Sequence, residues 1–208
     1  MAPAAGFGGE CPMLSSDTSE LVRRLELVQP VHTVRGLAFN AILSLAGQQA
    51  GEEASARLAR QVGSRRPIDF FSYPASDFTR LLYAAVEVLA PQLGPPQEVL
   101  RACGAACLNH FFYSSTVGRA LAKIIGQRDP LRAFSNTSIA YATLVNYGTH
   151  ECKVLGPRQL RLVFRGDMQP ASFHEGTLSA ALQVTGVRGT VVSTVHGLDH
   201  AEFLLEWE

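Results

Sequence analysis

Apolar positions along the chain recur first at helical and later at strand spacing. Asp17-Thr18-Ser19-Glu20 sets a capping residue three before a Glu, a helix-start pattern. Leu21, Leu25 and Val28 continue it at helical spacing up to Pro30. A second helix is expected from about Thr33, with Val34, Leu37, Ala38, Ile42 and Leu45 as its stripe and a break at Gly47 to Gly51. Glu52 to Val62 reads as a third. Ile68 to Tyr73 is short and aromatic, and Phe70, Phe71 and Tyr73 are expected to plug the core from a loop or short strand. After a Ser76 cap, Phe78, Leu81, Leu82, Ala85, Val88 and Leu89 make the clearest amphipathic helix. Pro91 to Pro96 is a connector, and the next helix starts near Pro96. Further helices are expected over Val117 to Ile125, stopped by Gly126, and over Leu131 to about Tyr147.

The period then changes. Glu151 to Leu155 and Leu160 to Arg165 flank Gly156-Pro157-Arg158-Gln159, a hairpin pattern. Leu160, Leu162 and Phe164 share one face of a half-buried strand. Ser172 opens a helix that Gly186 ends. Thr190 to Val195 is a β-branched strand, Gly197 to His200 a turn, and Ala201, Phe203, Leu205 and Trp207 alternate with polar positions in a last strand. The expected fold is α+β: a helical part over 17–148 packed on a small antiparallel sheet, with a ββαββ unit over 149–208, in one domain behind a flexible tail over 1–16.

Bulk properties narrow the function. Lys plus Arg equal Asp plus Glu at 18 each, so the basic excess of a nucleic-acid binder is missing. No apolar run approaches the roughly 20 residues of a membrane span. Met1 to Gly9 lacks the basic and apolar regions of a signal peptide. The four Cys are scattered, which suits reduced thiols and a cytoplasmic location.

Candidate chemistry is sparse. Cys103, Cys107 and His110 fall on one helical face beside Phe111 and can be read as three zinc ligands. Core packing is the expected reading, since free Cys is among the most buried residue types. His174-Glu175 lacks a second His four residues on and reads as a polar first turn. His196, Asp199 and His200 offer a metal cluster or simply a polar turn. No nucleophile elbow or phosphate loop occurs. Tyr113, Arg119 and Tyr141 combine apolar bodies with polar ends, the type that orients a ligand in an apolar pocket or reaches out to water. The pocket candidates are Cys107, His110, Phe111, Tyr113, Arg119 and Tyr141; no catalytic, metal or cofactor residue is assigned.

Val34-Arg35-Gly36-Leu37-Ala38-Phe39-Asn40-Ala41, Phe70-Phe71-Ser72-Tyr73-Pro74, Gly118-Arg119-Ala120-Leu121, Phe173-His174-Glu175-Gly176-Thr177-Leu178 and Ala201-Glu202-Phe203 with Trp207 resemble an uncharacterised paralogous family found mainly in myxobacteria. More distantly, the layout resembles the superfamily of haem-nitric-oxide-binding sensors, vinyl-reductase-type ligand domains and small Golgi tethering subunits. That resemblance implies a domain enclosing an apolar ligand or docking a partner. Two departures stand out. The haem sensors carry a ligating His on the helix before the sheet, and Leu131 to Tyr147 has none. Their Tyr-x-Ser-x-Arg motif corresponds here to a stretch reading Leu162-Val163-Phe164-Arg165-Gly166-Asp167. Nor does Val195 to Trp207 hold the Cys of the vinyl-reductase type. The expectation is a non-enzymatic sensory domain binding an apolar small molecule between helices and sheet. The alternative is a protein-interaction module, homodimeric or with another partner.

Overall fold

Apolar residues cover almost the whole circumference of the helix Gly36–Ala50: Leu37, Ala38, Phe39, Ala41, Ile42, Leu43 and Ala46 are all buried. A helix apolar all round belongs at the centre of a core, and this one does. The computed structural model describes residues 16–63, 66–114, 119 and 129–208. Around that central helix, α2, lie α1 (Ser16–Leu27), α3 (Glu52–Ala59, continued by a 3-10 turn Arg60–Val62), α4 (Ala75–Leu93) and α5 (Pro96–Ser114). Phe39, Phe78, Leu82, Leu89, Val99 and Cys103 belong to their common core. Among the described residues, no helix is long and apolar enough to cross a membrane.

Two short helices, α6 (Pro130–Phe134) and α7 (Thr137–Ala142), lead to the sheet. Its strands are β3 (Thr149–Gly156), β4 (Gln159–Arg165), β5 (Gly189–Gly197) and β6 (His200–Trp207), with α8 (Ala171–Val184) between the two hairpins. The spatial order is β3-β4-β6-β5, antiparallel throughout. Leu160, Leu162 and Phe164 of β4 and Ala201, Phe203, Leu205 and Trp207 of β6 point to one face. Leu178 and Leu182 of α8 cover it and complete a second core. The α+β layout and the ββαββ close are therefore as expected.

The halves are joined along α5 and α8, where glycines allow backbone contact. A Cβ on Gly104 would sit 1.9 Å from the Phe173 carbonyl oxygen, and one on Gly176 would sit 1.9 Å from that of Arg101.

Several local expectations are corrected. Thr33–Arg35 is not helical: it forms a strand, β1, paired with β2 (Ser72–Pro74). Arg35 N–H donates to the Leu144 carbonyl and Val34 bridges to Val145, so distant partners override the helical period. Phe70 and Phe71 do not plug the core; they are 66% and 60% exposed, and of that segment Tyr73 alone packs inward, against Phe39. The fourth helix starts at Ala75 without a side-chain cap, ahead of Ser76, and runs through Pro91. The single helix expected over 131–147 is split. Ser135, Asn136, Thr137 and Thr143 side chains donate to the carbonyls of Leu131, Arg132, Phe134 and Ala140, offering the backbone local alternatives to a continuous helix. The tail, apart from Ser16 which begins α1, and the helix placed over Val117 to Ile125 (Arg119 apart) fall outside the described residues.

Candidate functional site

Between the helical half and the sheet lies a buried polar constellation centred on Asp167. Strand β4 ends at Arg165, and Gly166 turns the chain with φ 67, a left-handed conformation that favours glycine. Asp167 then enters the interior, 4% exposed, its N–H donating to the Asp199 carbonyl. His150, on the inward face of β3, brings Nε2 to 2.8 Å from Asp167 Oδ2. The Gln169 N–H donates to Oδ1 at 3.1 Å. His174 of α8 places Nε2 3.3 Å from Oδ1, an ion-pair distance without hydrogen-bond alignment. Burial pushes the Asp167 carboxyl up; the His174 and His150 imidazoles outweigh it and hold the group below the usual carboxylate range.

Rings pack around this carboxylate. Tyr141 of α7 stacks on His150 with centroids 4.1 Å apart, and its hydroxyl meets His174 Nδ1 at 3.1 Å. Phe164 sets its edge or face against His150, His174 and Tyr141 at 4.6 to 4.9 Å. Burial, then the Asp167 charge, push the Tyr141 and Tyr147 hydroxyls well up. Tyr147 accepts a hydrogen bond from Gln169 Nε2.

Arg24 of α1 completes the arrangement. It is 5% exposed and donates from Nη1 to the Met168 and Leu198 carbonyls at 2.7 and 2.6 Å. Its Nε donates to Glu20 and to the Tyr83 hydroxyl. One side chain thus ties α1 and α4 to the segment after β4 and to the β5–β6 turn. A cavity of about 40 Å³ lies there, lined by Arg24, Asp167, Gln169, His174 and the Gly197–His200 turn. At roughly 10 to 15 Å³ per water, that is room for about three waters.

The constellation links titratable groups but, among the described residues, sets no activated nucleophile beside them. The group hydrogen-bonded to His174 is a phenol whose ionisation burial disfavours, not an activated Ser or Cys. Cys103 and Cys107 are no better as nucleophiles or thiolate ligands: burial pushes Cys103 up to about 12, and burial and Cys103 push Cys107 well up.

Of the six pocket candidates from sequence, Tyr141 belongs to this constellation. Cys107 is buried against α2, with Sγ 3.6 Å from the Ala38 carbonyl. His110 and Phe111 are half-buried further along α5, Phe111 edge-on to Phe112. Tyr113 is 64% exposed, and the exposed Arg119 donates to its carbonyl. Sequence reasoning missed Arg24, His150, Asp167, Gln169 and His174. The polar first turn expected at His174 is corrected: the residue is 3% exposed. A signal existed, because His174, Leu178 and Leu182 share one helical stripe at four-residue spacing.

Residues 27–208 match the family described as Protein of unknown function (DUF2378). No curated protein matches the chain. Among solved structures it is similar to the H-NOX domain from Shewanella oneidensis in the Fe(II)CO ligation state, with TM-score 0.64 and 16% identity over 84% of this chain and 98% of that one. It is also similar to the H-NOX from Shewanella woodyi in the Fe(II)CO state (0.62, 18%, 82% and 93%) and to the Fe(II) unliganded H-NOX protein from K. algicida (0.61, 13%, 84% and 96%). At these identities the likeness is one of fold.

Proposed function

We propose, from the premise that the chain belongs to the DUF2378 family and shares the H-NOX fold, that it is a non-catalytic sensory or regulatory domain, cytoplasmic, taking a small ligand between its helical half and its sheet. The observation that carries this is the small cavity beside Asp167 and His174, of mixed polar and apolar lining and bounded by the arginine that ties the two halves together. A molecule entering there competes for the same donors and acceptors, so binding would be felt at α1, α4 and the β5–β6 turn together. Its volume favours a ligand of a few heavy atoms, and its lining offers that ligand polar groups from Asp167, Gln169 and His174 beside the apolar surface of Phe164, Val195 and Ala201. Cofactor-sized ligands occupy sites of roughly 300 to 1,000 Å³.

Haem, which the fold implies, does not fit the described residues. Tyr141, His150, Phe164 and His174 pack ring against ring at the interface. His150 Nε2 and both nitrogens of His174 face Asp167 or Tyr141. Tyr141, the one ligating type on α7, is held protonated by burial. The Arg24 guanidinium is already committed to carbonyls, Glu20 and Tyr83.

The test pairs two measurements on the full chain. Hemin is added and the protein desalted; no stoichiometric haem absorbance should remain. Thermal shift is then followed with formate, nitrite and bicarbonate. A probe at about 100 times its Kd adds roughly 2.7 kcal/mol, a rise of about 5 to 11 °C for this size of domain. That rise should vanish in His200→Ala. Retained haem, or no shift with any probe, counts against the reading.

A second reading has its own observation. Ile68, Phe70 and Phe71 are 55%, 66% and 60% exposed beside the β1–β2 ribbon, an apolar surface suited to a protein partner or a second copy.

A further inference from the structure

Outside the buried constellation, and among the described residues, His196, His200 and Glu202 converge so that one ligand atom from each lies within 4.8 Å of the other two. The β5–β6 hairpin brings them together. Its register shifts between Val195 and Gly197, leaving His196 as the extra residue of a bulge. Bulges re-aim side chains. On β6, Ala201 and Phe203 are buried in the core, so His200 and Glu202 share the opposite face. The rings of His196 and His200 have centroids 4.7 Å apart, and His196 Nε2 is 3.6 Å from Glu202 Oε1. We propose that His196, His200 and Glu202 are a three-ligand site for a late first-row divalent cation, zinc above all, with a further position left for water.

Three features support this beyond proximity. His200 Nε2 is buried and has no hydrogen-bond partner among the described residues, a costly state that a metal bond would relieve. Glu202 turns its other oxygen, Oε2, to Arg161 Nη1 at 3.4 Å, which fixes the carboxylate and leaves Oε1 toward the imidazoles. Such outer partners orient metal ligands. The donor set itself selects the ion: two imidazoles and one carboxylate suit zinc and its neighbours rather than magnesium or calcium. Zinc bonds of about 2.0 to 2.2 Å put tetrahedral ligands roughly 3.4 Å apart. The His196–Glu202 separation is already close to that, and side-chain rotation of the exposed His196 supplies the rest. The Arg161 charge works against cation affinity, so the site is expected to be moderate in strength. The arrangement also suits a plain His196–Glu202 ion pair, but that leaves His200 Nε2 unpaired.

The proposal does not rest on the ligand reading above, although His200 lines that cavity as well. Zinc is titrated calorimetrically into the tag-free full chain, and cobalt is followed by its visible spectrum. Expected are one saturable equivalent of zinc and cobalt d–d bands without a thiolate charge-transfer band. His196→Ala and Glu202→Gln should each weaken binding at least about 10-fold. Circular dichroism should stay unchanged, since both side chains are on the surface. The absence of saturable binding, which leaves the ion pair only, overturns the proposal. So does zinc binding that survives both substitutions, or a thiolate band that moves the metal to a cysteine.

Discussion

Replacing Asp167 tests whether the buried constellation is held together by charge. Asp167→Ala leaves His150 Nε2 and the Gln169 N–H without their acceptor and His174 without its counter-charge, all in the interior. Removing one partner of a buried pair costs about 3 to 5 kcal/mol. For a domain of this size that is a fall in Tm of roughly 6 to 20 °C. Asp167→Asn keeps the shape and an acceptor for Gln169 but loses the charge, so the expected cost is smaller, about 1.5 to 3 kcal/mol. The pH dependence carries a sign. The folded-state carboxyl is held below its ordinary value, so its contribution is fully present above about pH 3.9 and is lost as pH falls through the lower folded value. The stability gap between wild type and Asp167→Asn should therefore narrow by about 1.4 kcal/mol per pH unit below that point. Urea denaturation at a series of pH values measures both quantities. An alanine variant within about 1 kcal/mol of wild type, or a gap that does not narrow in acid, refutes the reasoning.

Two further substitutions probe the fold. Gly176→Ala and Gly104→Ala would each place a methyl 1.9 Å from a facing carbonyl oxygen. A free helix would gain about 1 kcal/mol from the change, whereas here each is expected to destabilise by about 1 to 3 kcal/mol or more in chemical denaturation. Phe70→Ser with Phe71→Ser should leave stability within about 0.5 kcal/mol of wild type, because both rings face water; a larger loss by the same measurement would return them to the core.

The C-terminal half was legible because its period and its turns agree. The alternation of Leu160, Leu162 and Phe164 and the Gly156–Gln159 turn each imply a half-buried hairpin strand, and β4 is one, although a register shift sets Val154 rather than Leu155 opposite Leu160. Phe78 through Leu89 was legible for the same reason on a helical period. The β1–β2 ribbon was not. Three residues carry too little pattern, and its partners lie nearly 40 residues away in β2 and over 100 away at Leu144 and Val145. The site was hidden for a different reason. Its charged and imidazole members, Arg24, His150, Asp167 and His174, are contributed singly by α1, β3, the turn after β4 and α8, so no local motif contains two of them at a recognisable spacing. His150 also lies just before the strand start expected at Glu151, and beginning that strand at Thr149 puts an imidazole on its inward face.

The composition of this interface bears on which reading is preferred. Two apolar cores, one within the helices and one between α8 and the sheet, already supply the burial a domain needs. A buried ionic cluster adds little to that, since well-packed apolar side chains in its place are often neutral or better for stability. Yet the junction between the cores holds a carboxylate, two imidazoles and a guanidinium, each under 6% exposed. Side chains fill this helix–sheet junction, with Tyr141, His150, Phe164 and His174 packed ring against ring. The junction is thus polar, nearly full, and spanned by Arg24, whose carbonyl partners at Met168 and Leu198 belong to the sheet half while Tyr83 belongs to the helical one. Under the proposed function, a change in hydrogen bonding at the cavity reaches both halves through that one side chain.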